Sequence, residues 1–133
     1  MELEFLKTLF LNRSLGNDYI LMLASFFFGA MGASAFVKPV FITKQFDIHS
    51  LSIAGKNEVR AVYGGFGLFM SIALIIALLL PELRNGVCLT VSFALGGMSF
   101  GRMISAIMDA SISKLPVFYG TIEFMAALLI ILS

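Results

Sequence analysis

The amino-acid sequence predicts an all-α membrane protein, a bundle of four transmembrane helices with a short interfacial helix at its N-terminus. Of its 133 residues, 59% are hydrophobic and only 13% are charged, whereas soluble domains average about 45–50% and about 25%. The mean hydropathy is +0.99. Because a soluble domain of this size buries only about 60–70% of the surface its chain exposes, we expect lipid to cover the remaining apolar surface.

Four apolar stretches are long enough to cross the bilayer, since about 20 helical residues span a hydrocarbon core of about 30 Å. The predicted spans are residues 19–37, 59–80, 87–108 and 116–132. Together they predict one integral membrane domain over residues 1–133.

The segments outside the spans also carry signals. Leu3, Leu6 and Phe10 share one helical face, which favours either an interfacial helix or a simple lead into the first span. The connection over residues 38–57 mixes charged and apolar residues and suits a loop packed on the membrane surface. Asn57 is a candidate N-cap for the second span.

Glycines recur among small residues at spacings of four, which lets helix backbones approach closely in lipid. The glycines predicted to serve helix packing are Gly29, Gly64, Gly65, Gly97 and Gly101. The alternative is that these glycines clear room for a ligand.

Two charges lie inside predicted spans, Arg102 and Glu123. A charge within a span costs about 2.5–3.5 kcal/mol on insertion scales and is usually paired, turned inward or functional. Arg102 lies seven residues before Asp109 at the end of the third span, and Glu123 lies seven residues after Pro116 at the start of the fourth. Both side chains should therefore lie at similar depth on antiparallel neighbours, which predicts an ion pair.

Further polar residues fall on the same membrane side. The predicted cluster comprises Glu58, Arg60, Tyr63, Arg102, Ser105, Asp109 and Glu123. It is either a set of salt bridges that fixes helix register, or a ligand-binding or proton-coupled pocket between the second, third and fourth spans.

Several site classes find little support. With Cys88 as the single cysteine and His49 as the single histidine, the sequence predicts no metal site, and no motif predicts a cofactor. A net charge of +1 gives no electrostatic case for nucleic-acid binding.

Lysine and arginine are distributed unequally between the two membrane sides. Lys7, Arg13 and Arg84 lie on one side, and Lys38, Lys44, Lys56 and Lys114 lie on the other. The positive-inside rule therefore predicts that the second side is cytoplasmic and that both termini are outside.

One segment resembles a known family. Residues 57–65 read Asn-Glu-Val-Arg-Ala-Val-Tyr-Gly-Gly, and Gly101-Arg102, Ser105, Asp109, Pro116 and Glu123 follow. This pattern, over roughly residues 20–133, is similar to the domain-of-unknown-function family 4345 of small bacterial membrane proteins. The resemblance implies a four-helix protein of the inner membrane and no assigned activity. Ala110 departs from the glycine expected after Asp109.

Three functions remain open from the sequence. The preferred hypothesis is a non-enzymatic accessory subunit that packs through its helix faces on another membrane protein or on itself, with its polar cluster dry and fully paired. The alternative is binding or transport of a lipid, quinone or other small amphiphile in the polar pocket. The third is a membrane enzyme with Glu58 or Glu123 as acid or base, which no recognisable constellation supports.

Overall fold

A computed structural model describes residues 18–133, so the predicted interfacial helix lies outside the described residues. The helices are α1 (Asp18–Val37), α2 (Pro39–Thr43), α3 (Ile53–Leu79), α4 (Pro81–Met108) and α5 (Lys114–Ile131). A 3₁₀ turn, Lys44–Phe46, follows α2, and no strand occurs within the described part. Helices α1, α3, α4 and α5 are long and apolar enough to cross a membrane.

The polar connection between the first two spans is partly helical, which corrects the prediction of a loop over 38–57. Pro39 opens α2 at a first-turn position, where its missing N–H costs nothing. Helix α3 starts at Ile53, because the Ser52 hydroxyl accepts a hydrogen bond from the Gly55 amide at 3.0 Å. Asn57 therefore lies inside the helix, and the prediction that it is the N-cap is wrong.

The helices pack as two pairs, α1 with α3 and α4 with α5, and the pairs meet mainly along α3 and α4. The main core lies between all four long helices and includes Leu21, Leu74, Cys88, Val91 and Ile130. Large side chains point outward elsewhere, such as Phe26, Phe69 and Phe93, each about 70% exposed. Such a surface suits lipid and not water.

Helices α1 and α3 approach closely where glycines face each other. A Cβ at Gly32 would lie 2.8 Å from the Leu68 backbone nitrogen, and one at Gly67 would lie 3.0 Å from the Phe28 carbonyl oxygen. Neither distance leaves room for a side chain. Nearby, the Ser25 hydroxyl lies 2.9 Å from the Ser71 hydroxyl, which joins the same two helices by a polar contact.

Within α3, residues Arg60–Gly65 form a π-helical stretch. Val59 and Gly64 are both buried against α1 or its neighbour α2, although residues five apart point about 140° apart in an α-helix. The wider turn, with hydrogen bonds from i to i+5, brings both onto one face. This face and Ala35 and Ile42 build a second, smaller core at that end of the bundle.

Arg84 joins three elements at the opposite end of the bundle. Its Nη1 donates to the Asp18 carboxylate at 2.5 Å and its Nε donates to the Ser133 carbonyl oxygen at 3.3 Å. The start of α1, the start of α4 and the residues after α5 are thereby held together.

Candidate functional site

A pocket of about 610 Å³ lies where α3 and α4 separate, at the end of the bundle that carries the α4–α5 connection. Val62 and Tyr63 of α3 form one wall, and Met98 and Arg102 of α4 form another. The connection closes the outer end with Ser111, Ile112 and Ser113. The main core lies in the other half of the bundle, and this pocket is open on one side, with exposed residues such as Met98 and Asp109 in its lining.

The predicted ion pair between Arg102 and Glu123 forms at the inner part of this pocket. Arg102 Nε donates to Glu123 Oε2 at 2.8 Å, and Arg102 Nη2 donates to Glu123 Oε1 at 2.7 Å. Both contacts are as short as charge-assisted bonds usually are, and the bidentate geometry fixes both side chains. The Glu123 side chain is 9% exposed and the Arg102 side chain 26%, so the carboxylate is buried while the guanidinium still borders the pocket.

Two further residues of α5 contact Arg102. A Cβ at Gly120 would lie 3.4 Å from Arg102 Cδ, an ordinary van der Waals distance, so α5 packs directly against the arginine stem. The Arg102 guanidinium lies 5.7 Å from the centre of the Tyr119 ring, within range of a cation–π contact. The Tyr119 hydroxyl donates to Gln45 Oε1, which links this site to the 3₁₀ turn after α2.

The structure brings most, and not all, of the predicted cluster to the pocket. Tyr63, Ser105 and Asp109 line it together with Arg102, and the Ser105 hydroxyl donates to Asp109 Oδ2 at 3.3 Å. Asp109 is exposed and lies at the outer end.

Glu58 and Arg60 do not line the pocket. Both are exposed, and Arg60 Nε donates to the Phe36 carbonyl oxygen at 3.3 Å. Arg60 therefore satisfies a carbonyl in the last turn of α1, where cations are favourable, and acts on the packing of α1 with α3.

The glycines predicted to serve packing fall into two groups. A Cβ at Gly29 would lie 3.1 Å from the Ser71 hydroxyl, and one at Gly64 would lie 2.9 Å from the Phe36 ring. Both therefore lie where α1 meets α3.

Gly65, Gly97 and Gly101 make no close contact with another helix among the described residues. A Cβ at Gly65 would meet only the Arg60 carbonyl oxygen of its own helix, at 3.8 Å. At Gly97 and Gly101 a Cβ would meet nothing within 4 Å in the described chain, because α5 packs on another face of α4. Gly101 is one of the residues that line the pocket.

No group of three or more His, Cys, Asp or Glu side chains that could hold a metal ion occurs among residues 18–133. The donors that do converge are a guanidinium and hydroxyl groups, which bind oxygen acceptors by hydrogen bonds. The pocket therefore combines polar side chains with apolar walls.

The model of the family described as "Domain of unknown function (DUF4345)" matches residues 18–133. The chain belongs to this family. The resemblance drawn from the segment 57–65 is thereby confirmed, and the match covers all of the described helices. No curated protein and no solved structure matches the chain.

Ala110 lies at the position where the resemblance to this family led us to expect a glycine. Ala110 has φ of 49°, in the left-handed region that glycine adopts readily and that costs other residues about 1–2 kcal/mol. It follows α4, with the Asp109 amide bonded to the Ser105 carbonyl at 2.9 Å. The turn that glycine would favour is thus kept despite the alanine.

Sequence reasoning missed three residues of the site: Gln45, Tyr119 and Gly120. One signal was present, since Tyr119 lies four residues before Glu123 and so shares its helix face. Gly120 has no such signal, because its role depends on which helix face meets Arg102. Gln45 is 74 residues from Tyr119 along the chain, and its place depends on the fold of the 38–52 connection.

Proposed function

We propose that this chain is a membrane protein that binds a small amphiphile in the pocket beside Arg102. The observation that carries the proposal is the pocket itself, about 610 Å³ in volume and bordered by the guanidinium of Arg102. Ligand sites typically measure about 300–1,000 Å³ and combine apolar walls with a few fixed polar groups. Val62, Met98 and Ile112 supply the apolar walls here.

The depth of Arg102 suits the head of an amphiphile. Helix α4 has 28 residues, and Arg102 lies about 11 Å from its middle at 1.5 Å per residue. For an upright helix this is about 4 Å inside the edge of a hydrocarbon core about 30 Å thick. A polar head at Arg102 would therefore lie near the lipid interface, with an apolar chain extending toward Met98.

The pocket favours binding over the accessory role, for which we expected a dry and fully paired cluster. The accessory role has one observation of its own. Gly96, Gly97 and Gly101 on α4 have no neighbour within 4 Å of a Cβ in the described chain, and such a face permits close approach of another helix. Association with a second membrane protein is thus the second candidate function.

The enzyme hypothesis finds less support. Both Glu123 oxygens accept hydrogen bonds from Arg102, so neither oxygen is directed at a substrate in the pocket. Glu58 is exposed and lies outside the pocket lining.

For location, the proposal is the bacterial inner membrane, with the pocket end facing the cytoplasm and both chain ends on the periplasmic side. Lys38, Lys44, Lys56 and Lys114 support this orientation through the positive-inside rule, since they lie in or beside the connections at the pocket end. Fusion of a periplasm-specific reporter to either chain end tests the orientation, and a silent reporter at both ends would reverse it.

Native mass spectrometry of the protein after mild extraction tests the binding proposal. Ala106 lines the pocket, whereas Ala61 is exposed and does not. We expect a retained small molecule in the wild-type protein and in Ala61→Leu, and its loss in Ala106→Leu, where the larger side chain projects into the pocket and narrows it. Equal retention in both variants, or no retained molecule, would refute the proposal. A stoichiometric protein partner without a small molecule would support the accessory role instead.

A further inference from the structure

The charges around the pocket constrain the chemistry of the ligand that the proposed function requires. Among the residues that line it, Arg102 is the one cation and Asp109 the one acid. The charge of Arg102 is already compensated, since Glu123 accepts two hydrogen bonds from it at 2.7 and 2.8 Å. With Asp109 at the outer end, the residues that line the pocket carry no excess positive charge.

An anionic head would gain little from electrostatics in this pocket. It would approach Arg102 from the pocket while the Glu123 carboxylate holds the other side of the same guanidinium. Glu123 would then be about twice as far from the head as the guanidinium, so its repulsion would cancel roughly half of the attraction of Arg102. None of the other residues that line the pocket is a cation that could restore this attraction.

A neutral acceptor does not depend on that weakened attraction and still finds hydrogen-bond donors. A guanidinium has five N–H groups, and two of those on Arg102 donate to Glu123. The other three remain for a ligand oxygen, and the Tyr63 hydroxyl on the facing wall is a second donor. The ion pair thus acts as a fixed hydrogen-bond donor without net charge.

Resting on the proposed binding function, we infer that the ligand presents a neutral carbonyl oxygen to Arg102, as an ester or a quinone does, and no carboxylate or phosphate. The depth of Arg102 agrees with this chemistry, because it lies about 4 Å inside the hydrocarbon edge for an upright helix. An ionised head would lose its hydration at that depth, whereas a carbonyl has much less hydration to lose.

Probes matched in chain and different in head test the inference. Methyl laurate and laurate share one acyl chain, but the first has a neutral ester and the second an ionised carboxylate. A decyl-substituted benzoquinone supplies the other source of a carbonyl. Each is titrated into the wild-type protein in a maltoside detergent, which contains no carbonyl, and the bound fraction is measured by native mass spectrometry.

We expect the wild-type protein to bind methyl laurate or the benzoquinone about tenfold or more tightly than laurate, since the weakened attraction of Arg102 does not offset the cost of removing a carboxylate from water. The stronger of the two neutral probes identifies the source of the carbonyl. Glu123→Gln should shift the preference toward laurate, because it leaves the charge of Arg102 uncompensated.

Asp109→Asn provides a second variant if Glu123→Gln fails to fold, because Asp109 is exposed and lies away from the ion pair. It should shift the preference toward laurate by a smaller factor. Tighter binding of laurate to the wild-type protein would overturn the inference and leave the proposed function standing. Failure of all three probes to bind, with no difference between wild type and Ala106→Leu, would overturn both.

Discussion

Separating the partners of the Arg102–Glu123 ion pair should reveal how strongly the membrane domain depends on it. Arg102→Met keeps the length and apolar stem of the side chain and removes the charge. It leaves the Glu123 carboxylate, 9% exposed, without the two donors at 2.7 and 2.8 Å. Loss of one partner of a buried pair costs about 3–5 kcal/mol, and we expect this range for Arg102→Met.

The reciprocal change should cost less. Glu123→Leu leaves Arg102 unpaired, but its side chain is 26% exposed and borders a pocket that can admit water. Its stem can also bend toward the interface, as long cationic side chains do. We expect a loss of about 2–3 kcal/mol, at the low end of the range for a broken buried pair.

The double variant provides the test. Replacing a buried pair by apolar residues of similar volume is often neutral or stabilising, so Arg102→Met/Glu123→Leu should unfold within about 1 kcal/mol of the wild-type protein. The free energy of unfolding is measured by titration with SDS in mixed micelles for all four proteins. A double variant whose loss equals the sum of the single losses would show that the two side chains are not coupled.

Three further changes probe the backbone and the helix contacts. Ala110→Gly should raise the free energy of unfolding by about 0.5–1 kcal/mol. Glycine removes the strain of an alanine with left-handed backbone angles, and this gain exceeds the extra entropy that glycine gives the unfolded chain. No gain would mean that the turn is not strained. Gly32→Ala should lower the thermal midpoint markedly, because the added Cβ would lie 2.8 Å from the Leu68 backbone nitrogen. Gly97→Ala should leave the midpoint unchanged, because its Cβ would meet nothing within 4 Å. Equal effects of the two changes would contradict the packing described. Ser25→Ala removes a hydroxyl that lies 3.1 Å from the Ser71 carbonyl oxygen and 2.9 Å from the Ser71 hydroxyl, and it should cost about 0.6–1.7 kcal/mol in the same SDS titration; a neutral result would show that the contact does not stabilise the α1–α3 interface.

Hydropathy predicted the membrane helices and their last residues well, and it predicted the first residues of α3 and α4 poorly. Val37 and Leu79 end two helices next to prolines, and proline is visible in the sequence. The first turns of α3 are invisible to hydropathy, since they carry Lys56 and Glu58 and project beyond the apolar stretch. Only the Ser52 cap marks the start, and a serine before an alanine-glycine step is a weak signal.

The ion pair could be predicted from the sequence because the depth of each charged residue in the membrane can be counted in residues from the nearest helix end. Counting residues fixes depth along an antiparallel pair to within about one turn, and long side chains tolerate that error. Which way a glycine stripe faces is a different quantity, because it depends on the rotation of the helix. Gly97 and Gly101 show this: their spacing suits close packing, yet α5 lies on another side of α4.

Contacts made by connections were beyond the sequence for a related reason. The Tyr119–Gln45 bond joins residues 74 positions apart, and the Arg84–Asp18 bond joins residues 66 apart. Neither can be inferred without knowing where α2 and its turn lie and which helix ends meet. Residues inside two membrane spans can be paired by comparing their depths in the membrane. No such comparison is available for residues in segments that run along the membrane surface.

The π-helical stretch makes the number of residues in segment 57–65 as informative as their identity. Removing one residue between Arg60 and Gly65 would let ordinary α-helical bonds close. It would also turn the segment Ile53–Val59 by about 100° relative to the rest of α3, so that Val59 would leave α2. The family pattern over this segment can therefore be understood as a spacer of fixed length, in which an insertion or deletion is less tolerable than a substitution.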